Sequence, residues 1–188
     1  MITVAAIVEG QTEVYALPHL LRRMVADLGV YDVEMPQPFR LARLGFTNPA
    51  AMGRAVAFAA ARVGDRGSVL AFADSDDDCA VEFTRSVYAA AGRPDVRLSV
   101  VAAVREFESL FLAASTSLPA AGYFSAPFDA DAERVRDAAG AVGRLMVSGQ
   151  YQKTADAIRL LSALSLEEAR KRRWYRKLES DLARVLDV

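Results

Sequence analysis

Ser68-Val-Leu-Ala-Phe-Ala-Asp74-Ser-Asp76-Asp77-Asp78-Cys79 is the stretch that decides how the rest of the chain is read. Ser68 to Ala73 is a short apolar run closed by a turn signal, the pattern of a buried strand. Carboxylates just past such a strand lie at the carboxyl edge of a sheet, where open α/β folds hold their ligands. Asp74 and Asp76 are two residues apart, so an extended backbone would aim both side chains the same way. Two converging hard oxygen donors suit Mg2+. The same acids also suit an exposed turn at the start of a helix, where Asp caps amides and meets the positive end of the dipole. On this stretch alone both readings stand.

Upstream, Ile2 to Val8 is a β-branched and alanine run, again a buried strand. Glu9-Gly10-Gln11-Thr12-Glu13 follows it, and then Val14, Leu17, Leu20, Leu21 and Met24 recur at helical spacing. Thr12 is the expected cap of that helix, and Gly10 allows the sharp strand-to-helix turn. Glu9 precedes the cap, so capping does not account for it; it holds the strand-tip position that Asp74 holds further on. His19 is the single histidine and reads as a packed or half-exposed helix residue, since no second one can share a metal with it. Tyr31 to Met35 is a weaker strand toward an edge, ended by Pro36 and Pro38. Arg40 to Asn48 reads as a loop in which Arg40 and Arg43 can face an anion. Asn48-Pro49 then opens a helix that runs to Arg62.

Downstream, Val81 to Ala91 is helical and Gly92-Arg93-Pro94 closes it. Val96 to Val104 is a fourth strand that leads into Arg105-Glu106-Phe107-Glu108-Ser109-Leu110. The order βαβαβαβα argues for an α/β fold, a mostly parallel four-stranded sheet covered on both faces. Right-handed crossovers bring the tips of strands one, three and four to one edge, so Glu9, Asp74, Asp76, Glu106 and Glu108 are expected to face one cleft. Such crowding is costly unless a cation offsets it, which favours the metal reading. Beyond residue 113 the character changes. Ala114 to Asp129 reads as a loop, Ala130 to Leu145 as a helix, Gly149 to Thr154 as a polar loop and Ala155 to Leu164 as a helix. Ser165-Leu166-Glu167-Glu168 is a capping box that opens another. The expected organisation is a core over residues 1–113 with a loop and helical extension, 114–188, packed on it.

With 188 residues, 53% of them hydrophobic, the chain can bury a substantial core. Its formal net charge of −1 means that any nucleic-acid surface must come from local clustering. The densest cluster is Arg170-Lys171-Arg172-Arg173-Trp174-Tyr175-Arg176-Lys177, where cations for phosphates flank two rings for stacking. The competing reading is a solvated connection whose Trp174 packs into the core. A single cysteine, Cys79, excludes an internal disulfide framework and a cysteine zinc cluster. The opening residues lack a basic region and read as a strand rather than a signal peptide, and no apolar run has the length of a membrane span. A soluble cytoplasmic protein without membrane contact is expected, its oligomeric state left open.

Val8-Glu9-Gly10-Gln11-Thr12-Glu13 and Asp74-Ser75-Asp76, in this order, resemble the marks of the Toprim superfamily, a glutamate after the first strand and Asp-x-Asp after the third. That domain is shared by topoisomerases, bacterial primases, RNA-maturation nucleases and overcoming-lysogenization-defect nucleases. More narrowly, the same opening resembles the Toprim-like domain-of-unknown-function family 4276. So do Arg105-Glu106-Phe107-Glu108-Ser109-Leu110, and Tyr151-Gln152-Lys153 with Trp174-Tyr175-Arg176-Lys177-Leu178. The resemblance implies a Toprim-like fold and Mg2+-dependent (or Mn2+-dependent) phosphodiester chemistry on DNA or RNA. Asp74 and Asp76 would be metal ligands, Glu9 a ligand or proton carrier, and Glu13 a partner of Glu9 with a second-metal role. Asp78, Glu106 and Glu108 would line the cleft. Arg43, Lys153, Arg170, Lys171, Arg172, Arg173, Arg176 and Lys177 would be the nucleic-acid contacts. The resemblance also implies a partner ATPase and a role in phage defence or DNA repair. A non-catalytic Toprim scaffold that binds nucleic acid or a partner protein is the alternative. A phosphatase of the haloacid dehalogenase kind ranks last, because its Asp-x-Asp belongs after the first strand.

Overall fold

A computed structural model describes residues 1–187. Strand β1 (Ile2–Val8) runs into helix α1 (Gln11–Asp27), and β4 (Ser68–Asp74) and β5 (Arg97–Ala103) flank α4 (Ala80–Ala91). Two-residue strands β2 (Val33–Glu34) and β3 (Phe39–Arg40), the short helix α2 (Arg43–Phe46) and α3 (Pro49–Ala60) lie between. The sheet is parallel throughout, in the order β2-β1-β4-β5, with β3 also paired to β1. It therefore has five strands where the sequence pattern suggests four. β2 pairs with the start of β1 (Ile2, Thr3) and β3 with its end (Ile7, Val8). Pro36 and Pro38 separate the two because proline supplies no amide to a ladder.

Alternation along the strands splits the core in two. Val4, Ala6 and Val8 of β1, Leu70 and Phe72 of β4, and Val101 and Ala103 of β5 pack with α1. Ala5, Ile7, Val69, Ala71, Val100 and Ala102 pack against α3 and α4 on the other face. Asn48 caps α3 by accepting from the Ala51 amide, with Pro49 in the first turn. Gly92, at φ 71°, ends α4 in a left-handed conformation that glycine adopts without strain.

The C-terminal part completes the α1 face. After α5 (Ser109–Ala113) come α6 (Ala138–Leu145), α7 (Lys153–Ala163), α8 (Leu166–Ala169) and α9 (Arg173–Leu186), whose apolar side chains join the same core cluster as β1, β4 and β5. α6 is shorter than the Ala130–Leu145 helix expected. Asp131 caps a single 3-10 turn over Ala132–Arg134, and Asp137 separately caps α6 through the Gly140 amide, so the stretch breaks at its own Asp caps. The segment from Ala114 to Asp129 is packed rather than loose: Phe124 is buried and bridges Met146. Trp174 sits edge-on to Phe72, 5.7 Å between ring centres, and Tyr175 is fully buried beside it. No helix among the described residues is long and apolar enough to cross a membrane.

Candidate functional site

The carboxyl ends of β1, β4 and β5 meet at one edge, and the acidic residues they carry are set there by specific local contacts. Glu9 follows β1 directly. α1 starts at Gln11 with Gly10 as its N-cap and no side-chain cap, so Thr12 is a buried first-turn residue and not the cap expected. Gly10 has φ −95°, which any residue can adopt. Its use is space: a Cβ there would collide with the Glu13 carboxylate, which folds back over the turn. Glu13 is 5% exposed, and its Oε2 has no hydrogen-bond partner; Glu9 Oε2 is likewise buried and meets only the Arg43 guanidinium, as an ion pair at 3.5 Å.

Asp74 ends β4, and its Oδ1 accepts from the Phe107 amide at 2.8 Å. The chain then turns sharply. Ser75 N–H donates to Ala103 O and Asp76 N–H to Arg105 O, and both Asp76 (φ 49°) and Arg105 (φ 65°) are left-handed. Each such residue costs roughly 1–2 kcal/mol, held here by the mutual bond and by Ser75 Oγ, which accepts from Arg105 N–H. This overturns the extended-backbone expectation for Asp74 and Asp76: Asp74 points into the cleft while Asp76, 60% exposed, stands at its mouth. The helix-cap reading of the Asp run does not hold either, since Cys79 is the N-cap of α4 and makes no side-chain cap bond.

Each residue of Arg105-Glu106-Phe107-Glu108 has a distinct place. Arg105 pairs with Asp77. Glu106 turns away from the acid cleft and accepts from the amides of Ala138 (3.1 Å) and Ala139 (3.3 Å), fastening the start of α6. Phe107 is buried and lends its amide to Asp74. Glu108 is buried beside Lys153, 3.9 Å away. Tyr151 also lies against Glu108 without a well-aligned hydrogen bond of its own; the sequence shows it as part of Tyr151-Gln152-Lys153 but gives it no role.

Electrostatically, the four carboxylates Glu9, Glu13, Asp74 and Glu108 form one group. Burial raises the proton affinity of Asp74 well above the ordinary range, and the neighbouring Glu13, Glu108, Glu9 and Asp76 add to it. Glu13 is raised by burial and then by Glu108 and Glu9. Glu108 is raised by burial, with Lys153 opposing. Glu9 is raised by burial, with Arg43 opposing. Arg43 is the cation set into this mouth. β3 docks through Leu41 N–H to Val8 O and Arg40 Nε to Glu9 O, which delivers α2 to the site. Arg43 then lies 3.5 Å from Glu9, 4.0 Å from Asp76 and 2.8 Å from Asp78, donates to the carbonyls of Asp74 and Ser75, and stacks 3.8 Å over the Phe83 ring. The Arg40–Asn48 stretch is thus ordered, and Arg43 faces carboxylates.

The site's donors are hard oxygens, with Glu13 Oε2 unpartnered and Glu9 Oε2 met only by the Arg43 ion pair, and this fits a cation such as Mg2+. Among the described residues, no three potential ligands are already drawn together tightly enough to hold a metal. Loading would need Glu9 and Asp76 to turn from Arg43.

The basic run lies apart from these contacts. Arg170 bridges Asp27 and Glu179, and Arg176 donates to Arg170 O. Lys177 pairs with Asp181, and Arg172 lies 3.9 Å from Asp131. Trp174 and Tyr175 are core residues, not stacking platforms, while Lys171 and Arg173 are exposed.

A family model described as "Domain of unknown function (DUF4276)" matches residues 8–183. No curated protein matches the sequence. Among solved structures, the chain is similar to the C-terminal region of the Xanthomonas campestris pv. campestris OLD protein. Identity is 12% and the TM-score 0.49, with 98% of this chain and 95% of that one covered. That likeness is too distant to carry an argument about chemistry.

Proposed function

The chain belongs to the DUF4276 family, and on that footing we propose that it is a Toprim-type, Mg2+- or Mn2+-dependent phosphodiester hydrolase acting on DNA or RNA. The observation that supports this most is the buried Glu13 carboxylate, unpartnered at Oε2 and surrounded by Glu9, Asp74 and Glu108. Four carboxylates this close are stable together only when protons or a cation offset their repulsion. Glu9, Glu13, Asp74 and Asp76 would hold the metal, which when bound polarises a phosphoryl oxygen and acidifies the attacking water. Glu9, at the mouth and with raised proton affinity, is suited to carry a proton between water and leaving oxygen. Asp74 is oriented by the Phe107 amide, and Lys153 neutralises Glu108 at the rim, where it can also meet a phosphate. Arg43 could leave its carboxylates for an anionic backbone once a metal replaces it.

The test is cleavage of labelled single- and double-stranded DNA and RNA with Mn2+ by wild type, Glu9→Gln and Asp74→Asn. Metal-dependent cleavage lost in both variants, with unchanged circular dichroism, supports the assignment; full activity in either sinks it. One observation favours the non-catalytic scaffold. Arg43 already supplies a cation to Glu9, Asp76 and Asp78, as a site without metal would require. Nucleic-acid or protein binding with no metal uptake would select that reading. The partner ATPase that the resemblance implies is a further proposal, tested by co-purification.

A further inference from the structure

A second ionic cluster lies beside the acid cleft and has no part in the chemistry above. Asp77 is held by two guanidinium groups, Arg105 at the tip of β5 and Arg136 just ahead of α6, the latter at 3.4 Å. The hollow they enclose, about 300 Å3, is lined by Asp76, Asp77, Arg105, Glu106 and Arg136, so it shares Asp76 with the cleft. Of its three acids, Glu106 is engaged by the amides of Ala138 and Ala139, and Asp76 lies 4.0 Å from Arg43. Asp77 is thus the carboxylate paired with both arginines among the described residues.

We infer that Arg105 and Arg136 form a phosphodiester-binding subsite in which Asp77 stands in for the phosphate, placing a nucleic-acid backbone next to the acid cleft. The inference rests on the nucleic-acid reading above and extends it to residues that reading leaves unused. A carboxylate and a phosphodiester both present two oxygens that a planar guanidinium can grip in parallel. Asp77 is 65% and Arg136 75% exposed, so their ion pair is screened and weak, and a backbone phosphate can displace it at little cost. Arg105 is different: its backbone is pinned by Ser75 Oγ and by Asp76 N–H in a left-handed conformation, so a rigid strand tip aims the side chain.

The experiment is fluorescence anisotropy of a short fluorescein-labelled oligothymidylate in EDTA over a salt series, run beside Mn2+ binding by calorimetry. Arg136→Gln, and separately Arg105→Gln, each weaken oligonucleotide binding about tenfold and lower the log–log salt slope by about one. Asp77→Asn does the opposite and tightens binding, a sign that a merely structural ion pair would not give. Mn2+ binding is unchanged in Arg136→Gln and Asp77→Asn. Unaltered oligonucleotide affinity in Arg136→Gln, weaker binding in Asp77→Asn, or no binding by either wild type or Asp77→Asn overturns the subsite. Absence of Mn2+ uptake by wild type overturns the metal reading instead, so the two failures are told apart.

Discussion

Arg43→Met removes the cation that touches three acids at once, and its cost can be worked from the contacts. Glu9 and Arg43 are each about a quarter exposed and 3.5 Å apart. At an effective dielectric of about 20 their gross attraction is about 4–5 kcal/mol, of which desolvation leaves about 1–2 kcal/mol net. Asp78 is closer, at 2.8 Å, but 68% exposed, so it adds at most about 1 kcal/mol. The Phe83 ring under the guanidinium adds about 1 kcal/mol. The total is about 3 kcal/mol at pH 8. For a chain of this length, each kcal/mol moves the midpoint by about 2–4 °C, so a fall of about 6–12 °C in EDTA is expected. The assay is thermal unfolding by circular dichroism with and without MgCl2. On the proposed metal reading the metal and Arg43 compete for Glu9 and Asp76, so MgCl2 is expected to recover more stability in the variant than it adds to wild type. An unmoved midpoint in EDTA, or an equal metal response in both proteins, would refute the reasoning.

Burial raises the proton affinity of Glu9, Glu13, Asp74 and Glu108 in the folded state, so that state binds more protons than the unfolded chain above the ordinary carboxylate range. Metal-free stability is therefore fully present below the ordinary carboxylate range and lost as pH rises through the raised values. Glu13→Gln should flatten that loss in pH-dependent melts, and an identical slope would count against the buried charge. Glu106→Ala removes the two α6 amide contacts and should cost about 1–2 kcal/mol, with faster hydrogen exchange at Ala138 and Ala139; unchanged protection there would contradict the tie. Trp174→Ala should cost about 3–5 kcal/mol in denaturant unfolding, whereas Arg173→Ala should stay within about 0.5 kcal/mol. Equal effects would mean that the aromatic is not the anchor.

The strands that carry the site were readable because each is a dense apolar run closed by an acid or a turn, and the tips Glu9 and Asp74 could be placed from that alone. The orientation of Asp76 could not, since alternation holds only while the backbone stays extended, and here a left-handed pair with Arg105 bends it outward. Strand β3 has two residues, too few for any period, yet it is what delivers Arg43. Glu106 and Glu108 share one motif, but a tertiary contact with α6 sends one away and leaves the other in the cluster. The basic run illustrates the converse: its composition suits phosphate, while much of its charge is met by Asp27, Glu179, Asp131 and Asp181, acids remote in sequence or on the far side of a helix turn.

The most direct test of the metal reading is calorimetric titration of Mg2+ or Mn2+ into wild type and Asp74→Asn, in two buffers of different ionisation enthalpy. The variant keeps an oxygen for the Phe107 amide, so the fold should persist. Saturable binding by wild type, accompanied by proton release from the raised carboxylates and lost in Asp74→Asn, is the predicted result. No binding by wild type, or equal binding by both proteins, would contradict the assignment of this acidic cleft as a metal centre.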